Sequence, residues 1–88
     1  MRERQDTMEF AKVLKKLRLK SGKSRYELSK LTALDQSFLG RLETGEKNPS
    51  RNTVLKLSLA LVHNNSSITL DDIDELLMAA EFAPLKKP

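Results

Sequence analysis

Apolar side chains recur along this chain at helical spacing, in short blocks separated by capping and turn residues. Phe10, Val13, Leu14 and Leu17 make the first block. Asp6 with Glu9 reads as a capping box at its start, and Ser21 with Gly22 as its stop. Ser24 and Glu27 repeat the capping pattern and predict a short second helix, with Leu28 and Leu31 as its stripe, ending near Thr32 and Ala33. Asp35 reads as the N-cap of a third helix carrying Phe38, Leu39 and Leu42, closed by Thr44 and Gly45. Pro49 disfavours helix at the residue before it, so 46–49 is a loop. Ser50 caps a fourth helix with Val54, Leu57, Ala60 and Leu61 on one side. The polar stretch 63–67 is a turn. Thr69 caps a fifth helix with Ile73, Leu76, Leu77 and Ala80 as its stripe, and Pro84 ends it. Asp71, Asp72 and Asp74 crowd its first turns, where the helix dipole favours negative charge. No segment alternates as a strand does, and none repeats. The pattern predicts an all-α chain of five short helices.

Composition narrows what such a chain does. At 88 residues it holds one domain, spanning 1–88. Aromatic residues are only 5% of it, which leaves few rings for stacking bases and argues against a single-strand binder. Cysteine is absent, which excludes disulfides, thiolate metal sites and thiol nucleophiles. The one histidine, His63, follows the fourth helix and reads as a residue of its C-terminus rather than a ligand or base. No metal, cofactor or catalytic pair is indicated, so the chain is expected not to be an enzyme. No apolar run approaches the roughly 20 residues of a membrane span, and residues 1–7 are too polar for a signal peptide. The expectation is a small, soluble, cytoplasmic binding domain.

Charge adds a direction. The net charge is +4, but residues 1–63 hold 14 Lys/Arg against 7 Asp/Glu while 64–88 hold 2 against 5. A basic body with an acidic tail suggests an anionic partner for the body, although a solvated charged surface explains the same numbers. Lys12, Lys15, Lys16 and Lys20 coat the first helix and would add long-range attraction at most.

Residues 24 to 49 are the informative stretch. Two short capped helices joined by a turn of about three residues fit a helix-turn-helix, whose second helix enters the DNA major groove. Any small helical bundle shows such lengths and caps; the residues say more. Leu17-Arg18, Tyr26-Glu27-Leu28-Ser29 and Phe38-Leu39-Gly40-Arg41-Leu42-Glu43-Thr44-Gly45 stand in order, followed by Asn48-Pro49-Ser50 and Thr53-Val54-Leu55-Lys56-Leu57. Together they resemble the phage repressor/Cro, or XRE, family of helix-turn-helix proteins over about residues 8–62. The fifth helix, about 69–82, with Ala83 and Pro84, is more loosely similar to the C-terminal extension of some members.

The resemblance implies a lambda-repressor-like five-helix domain that binds a double-stranded DNA operator through the major groove. It also implies a homodimer and transcriptional regulation in a bacterium or phage, repression being the default. By position it assigns Gln36, Ser37, Gly40 and Arg41 to the base-facing side of the third helix. Gln pairs well with adenine and Arg with guanine, while Gly40 would only permit close approach. The plainer alternatives are solvated N-terminal residues for Gln36 and Ser37 and a surface salt bridge for Arg41. Phosphate contacts are expected from Arg25, at the start of the second helix, and from Thr44, Lys47, Asn48 and Arg51 around the following loop. Each is otherwise an ordinary polar residue. Arg18 and Glu43 are expected to form a partly buried ion pair tying the first helix to the third.

Three residues depart from the family pattern. Lys23 stands where an apolar residue is usual, which puts that contact beneath the turn in doubt. Ala33 replaces the common turn glycine; a left-handed conformation would cost Ala about 1 kcal/mol, so the turn is expected to differ slightly. Arg25 replaces a glutamine and is expected to shift the phosphate clamp. Leu77, Met78, Phe82 and Leu85 are expected to form an exposed apolar strip, either a lid on the core or, the favoured reading, a dimer interface. Asp71, Asp72 and Asp74 suggest a cation site but are more simply first-turn carboxylates. The alternative function is a protein-interaction module, such as an antitoxin or accessory factor, on the same fold.

Overall fold

A computed structural model describes residues 3–65 and 67–85, with side chains from residue 8 onward. Among the described residues there are five helices: α1 (Glu3–Ser21), α2 (Arg25–Thr32), α3 (Gln36–Thr44), α4 (Arg51–Val62) and α5 (Leu70–Ala79). Helix α1 begins at Glu3, so Asp6 lies inside it and does not open it. Arg4 and Gln5 are good helix formers, and nothing stops the helix at Asp6. The Asp6 side chain lies outside the described ones.

The caps set the remaining boundaries. Ser24 accepts from the Glu27 backbone N–H at 3.0 Å while Glu27 Oε1 accepts from the Ser24 N–H at 2.9 Å. Thr69 and Asp72 close a second box in the same way, which makes Asp72 a capping residue of α5. Ser50 Oγ accepts from Thr53 N–H at 3.1 Å. Asp35 occupies the N-cap position of α3 with extended backbone, but its side chain makes no capping bond. Helix α5 ends at Ala79, short of the expected 82 and well before Pro84. The cause is backbone geometry: Glu81 turns left-handed at φ +67°, and the Phe82 N–H donates to the Leu77 carbonyl at 2.9 Å. That turn folds Phe82 back onto the core.

Helices of eight or nine residues, such as α2 and α3, are not stable alone, so packing holds them. Leu28 of α2 and Leu39 and Leu42 of α3 join Phe10, Leu14 and Leu17 of α1 in one buried cluster with Val54, Leu57 and Leu61 of α4. Helix α1 packs chiefly against α3 and α5, and α2 against α3 and α4. The inward side of α3 is thereby taken by α1 and α2.

Two apolar assignments change. Leu31 is exposed; Thr32, one turn beyond Leu28, takes the inward place. Its hydroxyl donates to the Leu28 carbonyl at 2.6 Å and accepts from the Leu34 N–H at 3.1 Å. Leu77 is fully buried, so the expected exposed strip loses it. Helical period explains this: Leu77 lies one turn past Ile73 on the core face, whereas Met78 faces away.

Candidate nucleic-acid interface

The connection between α2 and α3 takes a single sharp form. Ala33 sits at φ +64°, left-handed despite its Cβ, so the turn keeps the geometry for which glycine is the usual residue. The Ser29 hydroxyl donates to the Leu34 carbonyl at 2.6 Å, and Thr32 holds the Leu34 N–H. These bonds and the burial of Leu34 against the core fix the angle at which α3 leaves the turn. At its other end Gly45, at φ +84°, closes α3, and the Glu46 N–H donates to the Arg41 carbonyl at 2.9 Å. A side chain at Gly45 would also strike the Met8 sulfur of α1.

At about 100° per residue, Gln36, Gly40, Thr44, Ser37 and Arg41 fall within an arc of about 140°. Leu39 and Leu42 point the opposite way into the core. Gln36, Ser37, Arg41 and Thr44 are exposed, with Gly40 half-buried between them. The residues expected to face bases are therefore gathered on one open side of one helix. The Thr44 hydroxyl donates to the Arg41 carbonyl at 3.2 Å. Lys47 and Asn48 lie exposed on the loop, and Arg51 opens α4.

Arg25, the first residue of α2, reaches across to α3. Its Nε stands 3.8 Å from Glu43 Oε1, and its Nη1 lies over Gly40. Glu43 is held mainly by Arg18: Arg18 Nε donates to Glu43 Oε2 at 2.6 Å and Nη2 to Oε1 at 3.2 Å. Arg18 Nη1 donates to the Lys23 carbonyl at 3.1 Å. Only 10% of the Arg18 side chain and 6% of the Glu43 side chain is exposed. This bidentate pair joins α1, α3 and the start of the turn before α2.

Three engagements had no counterpart in the sequence reading. Lys23 Nζ donates to the His63 carbonyl at 2.7 Å and to the Leu61 carbonyl at 3.4 Å, binding orphan carbonyls at the end of α4. The available signal was a lysine at an otherwise apolar position, which requires a polar partner. Lys16 and Lys20 of α1 pair with Glu75 and Asp72 of α5 at 2.9 and 2.7 Å, so the acidic segment neutralises part of α1. The bond from Lys16 to Glu75 raises the Lys16 pKa above its ordinary value. Asp74 is buried and accepts from the Leu85 N–H at 2.8 Å, which ties the C-terminal segment to α5. Among the described residues no group of His, Asp and Glu is arranged to hold a metal ion, and no helix is long and apolar enough to cross a membrane.

Compared with known proteins, the chain matches a family model described as helix-turn-helix, HTH_3, over residues 14–61. That span runs from the middle of α1 to the last turn of α4 and contains the whole α2–turn–α3 unit. Searches of curated proteins and of solved structures return no match.

Proposed function

The chain belongs to the helix-turn-helix family, in its XRE or Cro/C1 form, a family of DNA-binding transcription regulators, and from that premise we propose that it reads a specific double-stranded operator with α3. The observation that carries this is the outward arc of α3, which presents Gln36, Ser37 and Arg41 to solvent while Leu39 and Leu42 anchor the opposite side. With α3 in the major groove, Gln36 would bond adenine N6 and N7, and Arg41 guanine O6 and N7. Ser37 suits either partner.

Arg25, Thr44, Lys47, Asn48 and Arg51 would take phosphates on the two sides of that groove. They stand at the start of α2, the end of α3, the loop and the start of α4, which brackets the recognition helix in sequence. Phosphate contacts fix register and supply most of the affinity, so binding would fall steeply with salt. The Arg18–Glu43 pair would read nothing; its part is to hold α3 at its angle to α1.

The active form would be a homodimer on a pseudo-palindromic site, with two copies of α3 about 34 Å apart. The C-terminal region offers exposed Met78 and Leu85 beside half-buried Phe82 for that contact. Repression by occupying the operator, in the cytoplasm of a bacterium or of a phage-infected cell, is the form of regulation the family membership favours. The whole chain, 1–88, would act as one domain, with 8–62 as its DNA-binding core.

A random-sequence DNA selection at fixed salt tests this. The expected product is two inverted half-sites about one helical turn apart. Enrichment of no sequence would refute the specific reading, and a single half-site without symmetry would refute the dimer.

A further inference from the structure

Gly40 is the one position on the exposed arc of α3 that carries no side chain, and its backbone does not require this. It is an ordinary helical residue, unlike Gly22 and Gly45, which sit at positive φ. Alanine is the better helix former there. The space beside it is already occupied: a Cβ built at Gly40 would stand 3.2 Å from Arg25 Nη1, closer than ordinary van der Waals contact, and among the described residues outside α3 no other atom comes within 4 Å. Resting on the DNA-binding role above, we infer that Gly40 is the seat of Arg25, and that its missing side chain serves a phosphate-gripping arginine from α2 rather than the approach of a base.

The geometry around the seat supports a poised cation. Arg25 is drawn toward Glu43, but Arg18 already holds both carboxylate oxygens of Glu43 at hydrogen-bond distance. The Arg25 contact is longer, 3.8 Å, and among the described residues Arg25 donates no hydrogen bond. Its side chain is half exposed. Arg25 is thus placed by a long ion pair from its Nε to Glu43 and a gap in α3, with its Nη groups left for a ligand. A planar guanidinium in that state matches a phosphate, which takes two parallel N–H bonds. Glu43 falls just outside one edge of the exposed arc and Gly40 about 40° inside it, next to Gln36, so the arginine tip lies over the Gln36 side of the base-reading face. Glutamine at position 25 would bring neither the charge nor the reach.

The test is a four-membered set, wild type, Arg25→Gln, Gly40→Ala and the double variant, titrated with the selected DNA site over a salt series. Arg25→Gln is expected to lower the slope of log K against log salt by about one, which makes the affinity loss between about 50 and 200 mM salt roughly fourfold smaller. Gly40→Ala is expected to lower the slope by part of that amount with base preference unchanged, and the double variant to bind no more weakly than Arg25→Gln. A Gly40→Ala variant that keeps the wild-type slope and changes base preference would overturn the inference, as would additive losses in the double variant. A measurement without DNA separates this inference from the function proposed above. The Arg25 Nε–H resonance of the free protein is expected to shift in Gly40→Ala. An unmoved resonance refutes the seat whether or not the protein binds DNA.

Discussion

Replacing Glu43 by alanine isolates the energetics of the α1–α3 connection. In the wild type the Arg18 guanidinium makes three bonds, two to Glu43 and one to the Lys23 carbonyl. Only 10% of its side chain reaches solvent. Glu43→Ala removes two of the three acceptors and leaves a cation in a site that water barely enters. Breaking a buried pair by removing one partner costs about 3–5 kcal/mol. A domain of this size loses about 4–8 °C of Tm per kcal/mol, so the drop is about 12–40 °C, a large part of a total stability of about 5–15 kcal/mol. Arg25 adds little to the loss, because its half-exposed guanidinium regains water.

The companion variant Arg18→Met/Glu43→Leu removes both charges and fills the space with apolar atoms. Apolar replacement of a buried pair is neutral or better in other proteins, so most of the lost stability is expected back. Thermal and urea denaturation followed by far-UV circular dichroism measures both variants. A Glu43→Ala loss below about 1 kcal/mol, the size of an exposed pair, would refute the reasoning. So would a double variant no more stable than Glu43→Ala.

Three further outcomes are expected. Ala33→Gly relieves a left-handed alanine at φ +64° and should raise stability by about 1 kcal/mol, read as a higher urea midpoint at unchanged slope. Lys23→Met removes the donor to the His63 and Leu61 carbonyls and should cost about 1 kcal/mol, with faster amide exchange confined to the last turn of α4. For Asp72, burial is the largest single influence and pushes the pKa up, but bonds from Lys20 Nζ and the Thr69 N–H together outweigh it and hold the carboxyl below its ordinary value. A depressed folded-state pKa stabilises above the ordinary value near 4, and that contribution is lost as pH falls through the folded-state value. Urea unfolding from neutral to acid pH should therefore show a shallower acid loss in Asp72→Asn than in wild type.

The helices were legible in sequence where period and caps agreed. Ser24 with Glu27, Ser50 and Thr69 each mark a real start, because a side-chain oxygen must satisfy N–H groups that the helix cannot. Gly45 marks a real stop for the complementary reason. The start of α1 and the end of α5 were not legible. Asp6 is a plausible cap inside a helix, and α5 stops at a left-handed Glu81 that composition does not announce. Leu77 drops out of the expected exposed strip because exposure depends on which neighbours cover a helix, and in α5 a one-residue step from Met78 turns the side chain into the core. On α3, residue type and helical period place Gln36, Ser37 and Arg41 on one open arc. The contact of Arg25 with Gly40 needed three dimensions, since it joins residues of two helices across a turn.

Arg41→Ala carries the most direct test of base reading by α3. Equilibrium affinities for the selected site and for a variant of it changed at the guanine proposed to face Arg41 give the answer in four numbers. The expected result is a loss of about 1–3 kcal/mol on the selected site, with Arg41→Ala no longer distinguishing the two sequences. An equal loss on both sequences, or none, with discrimination intact, would contradict the placement of α3 against the bases.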